Sequence, residues 1–254
     1  KTLENPKDTS AIKNIPFIKT RAIDSFFINY DSLDVLEENK IDIIKDPRIY
    51  KAPMLLARKG LEMKTLSVKC SISKSDILFK DGITSIKAIQ SGNIESLTNI
   101  AALFSSNLCS YYAINTFGSI GIEREQTQNY NKFSLPYLDL NVKEKVVSIE
   151  NDFEKIHAEK KKLPNDNFII RELQNSIDLK IDEIDKIIFE KIKLDDLETS
   201  LIDYATEINR KLIVGDLNDK SSLFSPLKLN DPFLENYASL FVNRFRTTLS
   251  NSQK

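Results

Sequence analysis

The sequence predicts an α+β protein: a small mixed β-sheet with a helix packed on it, followed by an α-helical hairpin or bundle. Three observations predict this. Between residues 54 and 86 apolar residues alternate with polar ones or run in short blocks, as strands do. From 97 to 112 they recur at steps of three and four, the period of a helix with one buried face. After residue 140 that period continues with Lys and Glu between the apolar positions, as in paired helices.

Four stretches follow from this reading: a lead-in over 1–45 from a preceding module, the sheet-and-helix block over 46–140, the helical hairpin over 141–215, and a linker with an amphipathic helix over 216–254. Residues 1–15 are polar and rich in Lys and Asn. Pro16–Lys19 and Ser25–Tyr30 are short β-favouring runs. Ser32, followed by Asp34, Glu37 and Glu38, predicts a short helix, which Asp46-Pro47 ends because the residue before proline is pushed out of the helical region. Met54-Leu55-Leu56-Ala57 and Ser67–Ile72 read as strands. Asp81-Gly82, between Ile77-Leu78-Phe79 and Ile83-Thr84, predicts a hairpin with a type I′ turn. Asn93 is the N-cap of one helix carrying Leu97, Ile100, Ala101, Phe104, Leu108, Tyr111 and Tyr112, closed by Gly118 at C′.

In the hairpin, Val146, Ile149, Phe153 and Ile156 form one stripe, and Pro164–Asn167 the turn. Ile170, Leu173, Ile177, Ile181, Ile184 and Ile188 form the other stripe. Asp195 with Glu198 is a capping-box pattern opening a third helix along Leu197, Leu201, Ala205, Ile208 and Leu212, stopped by Gly215. The last forty residues hold a Pro-containing linker and an amphipathic stretch over 237–245.

Composition excludes several classes. The 254 residues carry a formal net charge of −1, so any affinity for a polyanion must be local. Cys70 and Cys109 form no CxxC pair, which argues against a disulfide scaffold or zinc site and fits a reducing cytoplasm. No run is long and apolar enough to span a membrane, and no signal peptide opens the chain. Beginning on Lys1, the chain reads as a piece cut from something longer.

Catalytic patterns are sparse. The one histidine, His157, sits among Lys155, Glu159, Lys160 and Lys161 and reads as a solvated surface residue. No phosphate-cradling Gly-rich loop, GxSxG or HExxH is present, nor the Asp/Asn-Pro-Pro-aromatic tetrapeptide that holds a flipped base for methyl transfer. Glu62-Met63-Lys64 with Asp46 upstream loosely matches the carboxylates and lysine of a metal-dependent nuclease, although a solvated strand end explains it better. No catalytic residue and no metal ligand is therefore assigned.

Local charge is more informative. Between Lys45 and Gly92 ten basic residues stand against four acidic ones, a surplus of six. Cations near phosphates release condensed counterions, so Arg48, Lys51, Arg58, Lys59, Lys64 and Lys69 are candidate phosphate contacts. A sheet edge protected by lysines is the competing account. The polar run 118–132 holds Arg124, Gln126, Gln128 and Asn129, residue types that read base edges in the major groove.

Together, Pro47–Gly60, the helix Ala102–Tyr112, Gly118 with its polar segment, and Leu135-Pro136-Tyr137-Leu138 resemble the target-recognition region of bacterial adenine-specific DNA methyltransferases and related restriction–modification proteins. Leu194–Tyr204 is similar to the family's segment after that region. The closing element usually reads Leu-Pro-Ile-Pro; here Asp139 replaces the second proline. The resemblance implies a fragment that binds double-stranded DNA and reads its sequence. It also implies a catalytic methyltransferase domain, in the same chain or a separate subunit, that binds S-adenosylmethionine; this chain holds no cofactor motif. Two other readings stay open: the specificity subunit of a multi-subunit restriction–modification complex, and a coiled-coil interaction module that binds no DNA.

Overall fold

A computed structural model describes residues 12–35, 46–62, 64–89, 93–117, 133–162 and 168–210, with single positions at 10, 213, 235, 238, 239, 242 and 246. The fold is α+β. Strands β1 (Ile23–Asp24) and β2 (Phe27–Ile28) pair with each other. Strand β3 (Met54–Arg58) lies between β4 (Cys70–Ser73) and β5 (Ile83–Ile86), antiparallel to both. One isolated parallel bridge joins Phe17 to Leu78.

The unbroken apolar run Met54–Ala57 suits a strand covered on both faces. Met54 and Leu56 pack with Ile18, Ala22, Ile23, Ile28, Ile77 and Ile83. Leu55 and Ala57 share the opposite core with Leu97, Ala101 and Phe104. Met54, Leu55, Leu56 and Ala57 have no solvent exposure, and each large one contributes roughly 1.5–3 kcal/mol of transfer free energy. The three-stranded sheet is thus a middle layer.

Residues 12–35 form the layer over one face and share its core, so this part of the expected lead-in is integral to the sheet. Phe26, at φ 62° in the β1–β2 turn, donates its N–H to Cys70 O at 2.8 Å. The helix expected from Ser32 does not follow it. A 3-10 turn, Tyr30–Ser32, capped by the Asn29 side chain, ends there. The chain is then extended because Asp34 and Phe17 exchange both backbone hydrogen bonds, at 2.7 and 2.9 Å.

The hairpin expected at Asp81-Gly82 also differs. The turn forms, closed by Ile83 N–H to Lys80 O at 3.0 Å. Asp81 lacks the positive φ of a type I′ turn, and β5 pairs with β3 instead of 77–79. Leu78 instead hydrogen-bonds the Pro16–Ile18 backbone, with Ile77 and Ile83 both buried in the N-terminal core.

Asn93 caps helix α1 (Ile94–Ser105), accepting from Ser96 N–H at 3.1 Å. The single helix expected here is two. Ser106, at ψ 160°, caps helix α2 (Asn107–Thr116): its hydroxyl accepts from Cys109 N–H and donates to Leu103 O. Serine's competition for nearby backbone groups makes this break local. Gly118 lies outside the described residues. Cys70 and Cys109 are both buried.

Helices α3 (Lys143–Lys162) and α4 (Phe168–Ile192) form the expected seam, with Val146, Ile149 and Ile156 packed in one core with Ile177, Ile184 and Ile188. Asp152 bridges it, accepting from Ser176 at 3.0 Å and pairing with Lys180. Residues 163–167, the expected turn, lie outside the described residues. Lys193, at φ 58°, ends α4 with Leu194 N–H on Phe189 O. Asp195 and Glu198 make the full capping box of α5 (Asp196–Tyr204), which continues into a π-helical turn, Ala205–Asn209. Its buried side is Ile202, Ala205 and Thr206; Leu201, expected inside, is exposed. Leu212 and Gly215 lie outside the described residues, as does most of the final amphipathic stretch.

The hairpin is fastened to the sheet layers. Phe27 stacks on Phe153 with centroids 5.7 Å apart, and Lys74 pairs with Glu150 at 2.8 Å. His157 is more than a solvated side chain: its Nε2 lies 2.9 Å from Asp31 Oδ2, and its imidazole is only 29% exposed.

Candidate nucleic-acid interface

The six candidate phosphate contacts divide between the two ends of β3. Four residue steps at about 3.3 Å each separate those ends by about 13 Å. Neither face of the sheet is open, so the cations sit at strand ends and not along a basic face.

Arg48 and Lys51 precede the strand. Arg48 lies in a 3-10 turn, Pro47–Tyr50, that Asp46 caps. Its guanidinium chelates the Asp46 carboxylate at 2.9 and 3.0 Å, and these bonds hold that carboxyl far below the usual range. Lys51 pairs with Asp76 at 2.7 Å, and Asp76 also accepts Ala52 N–H. Both bonds depress its pKa. Lys87 joins this end by donating to Arg48 O at 2.5 Å, and burial lowers its pKa.

Arg58, Lys59, Lys64 and Lys69 gather at the other end. Arg58 shares the orientation of Met54 and Leu56, so it points into the N-terminal layer and donates to Ile23 O. Lys69 Nζ lies between Asp24 at 2.8 Å and Glu62 at 3.0 Å, and its side chain is only 20% exposed. Arg58 stands 3.8 Å from the same Glu62 carboxylate. These two cations brace the layers. Lys59 is half-exposed, its N–H bonded to Gly82 O at 2.9 Å, and Lys64 is exposed on the turn after β3.

That turn is tied to α2, since Ser110 Oγ donates to Thr65 O at 2.7 Å. Helix α2 ends at Thr116, six residues further on and about 9 Å along its axis. Phe117 closes it, bonded to Ala113 O and packed edge-on against Tyr112. The polar run begins there. Arg124, Gln126, Gln128 and Asn129 lie outside the described residues. The chain returns at Phe133 and runs from 136 to 142 without helix or strand, turning tightly where Val142 N–H donates to Leu140 O at 2.7 Å. Asn99, buried in α1, holds this return. In the carboxamide orientation that satisfies both its atoms, it donates to Leu140 O at 2.5 Å and accepts from Leu140 N–H and Tyr137 OH, each at 3.3 Å.

No family model and no curated protein matches this chain.

The loose nuclease pattern is not assembled. Asp46 is bound to Arg48 before β3, and Glu62 to Lys69 and Arg58 beyond it. Among the described residues no group of three or more His, Cys, Asp or Glu could hold a metal ion. Nor, among them, is any helix long and apolar enough to cross a membrane.

Sequence reasoning missed Ser110, Asn99 and Asp185. Asp185 is buried in α4 and accepts Asn107 N–H at the start of α2 at 2.9 Å. Burial pushes its pKa up to about 7, with Asp182 and Asp203 adding to the rise. The only sequence signal was an acid next to Ile184 on an apolar seam. Its partner lies 78 residues away.

Proposed function

We propose that this chain is the DNA sequence-recognition fragment of a bacterial restriction–modification adenine-specific DNA methyltransferase, with or without a fused nuclease, acting in the cytoplasm. The observation that carries the reading is the Ser110–Thr65 hydrogen bond. It joins the turn bearing Lys64 to the helix leading into Arg124, Gln126, Gln128 and Asn129, so cations and base-reading side chains start from one corner of the fold. Lys59 and Lys64 hold phosphates and set register, and the 118–132 run reads bases in the major groove. Arg48 and Lys51 reach a second stretch of backbone, while Arg58 and Lys69 act through the layers they brace. The resemblance of Pro47–Gly60, Ala102–Tyr112 and Leu135–Leu138 supports the same reading. Methyl transfer from S-adenosylmethionine belongs to a catalytic domain in the same or a partner chain.

The test is duplex-DNA binding titrated against salt. We expect log affinity to fall linearly with log salt, and Lys59→Glu with Lys64→Glu to weaken binding to every sequence and flatten that slope by about one or two. No binding at low salt overturns the reading and leaves a coiled-coil interaction module.

A further inference from the structure

We propose that Lys87 is a DNA-phosphate contact in its own right, a proposal that rests on the DNA-recognition reading above. The residue directly follows β5, whose last residue, Ile86, pairs with Leu55 near the start of β3. Antiparallel pairing thus brings Lys87 beside the turn that carries Arg48, 39 residues earlier in the chain. Its Nζ donates to Arg48 O at 2.5 Å, and Ser85 Oγ, also on β5, donates to Ile49 O at 3.4 Å. The ammonium is held in place before any ligand arrives, so little side-chain freedom is left to lose on binding.

Its neighbours at this end of the sheet are already matched. Arg48 pairs with Asp46, Lys51 with Asp76, and Lys74 with Glu150. Lys87 is exposed, and among the described residues no carboxylate forms an ion pair with it. A carbonyl takes one of an ammonium's three protons but none of its charge, so two donors and the full charge remain for an anion. Partial burial lowers the Lys87 pKa; Asp76 opposes this from a distance and Lys51 adds to it. A phosphate oxygen would supply the counter-charge that the fold withholds. Arg48 and Lys51 must share any phosphate with carboxylates they already hold, whereas Lys87 meets it unmatched.

Salt titration of a random-sequence duplex with variants of the full chain tests this. We expect Lys87→Gln to flatten the slope of log affinity against log salt by about one, and Lys87→Arg, which keeps the cation, to retain the parent slope. Lys191→Gln, which removes the same charge from an exposed position on α4, should leave the slope unchanged. Arg48→Gln combined with Lys87→Gln should be flatter than Arg48→Gln alone by the same amount. A double variant no flatter than Arg48→Gln would show that Lys87 merely holds the Arg48 turn, and would overturn the proposal. So would a parent that binds while Lys87→Gln behaves like Lys191→Gln; the DNA reading would then survive. A parent that binds no duplex at low salt removes both.

Discussion

The carboxylate of Asp185 accepts the backbone N–H of Asn107 at 2.9 Å, and its second oxygen is buried without a hydrogen-bond partner among the described residues. The bond supplies a negative end for the first turn of α2, a favourable position in the helix dipole, and ties the helical hairpin to the Ser106 joint. It also keeps an acid out of water. These two effects oppose, and burial wins, because the group's pKa is pushed up to about 7.

This has a pH consequence. The unfolded chain releases the Asp185 proton near the ordinary value of about 3.9, whereas the folded chain keeps it to about 7. Between those values the folded state binds the extra proton, so this group's contribution to stability falls as pH rises and levels off above about 7. Linkage puts the whole loss on the order of 4 kcal/mol. Asp185→Asn keeps an acceptor for Asn107 and removes the charge. We expect its Tm to exceed that of the parent at pH 8 and the difference to shrink toward pH 5. Parallel Tm-against-pH curves for the two proteins would sink this account.

Arg124→Ala should relax base preference at one position of the bound site, at a cost of about 1–3 kcal/mol in discrimination, while non-specific affinity changes little. Selection from a random duplex pool with both proteins gives the readout. An identical preferred site for the variant would remove Arg124 from the reading set.

Gly82 is needed for room. A Cβ there would meet the Thr20 side-chain methyl at 2.7 Å. Overpacking of this kind costs typically 1–3 kcal/mol, and the reduced freedom of the unfolded chain returns about 0.4–1. Gly82→Ala should therefore destabilise by about 1 kcal/mol, and adding Thr20→Ser, which deletes that methyl, should restore most of it. Denaturant melts of the four proteins in the cycle test this; purely additive effects would show that the contact is not the cause.

The sequence by itself determined the features whose partners lie within a turn or two along the chain. The Asn93 cap, the Asp195–Glu198 capping box and the 146–156 and 177–188 stripes need only the geometry of one helix, so their spacing announces them. The Ser106 break has the same local chemistry but sits inside an apolar period that continues across it, and the longer pattern hid the shorter one. Tertiary structure decided which apolar faces meet. Periodicity could not say whether Leu201 or Ile202 would be buried, that β5 would join β3 and not 77–79, or that residues 12–35 would cover the sheet. It also decided which cations are already matched. Arg58 and Lys69 look like Lys64 in the sequence, but Glu62 gathers both, and Asp24 reaches Lys69 only once the layers stack. Charge acts through space, and only the folded chain brings those carboxylates within about 4 Å.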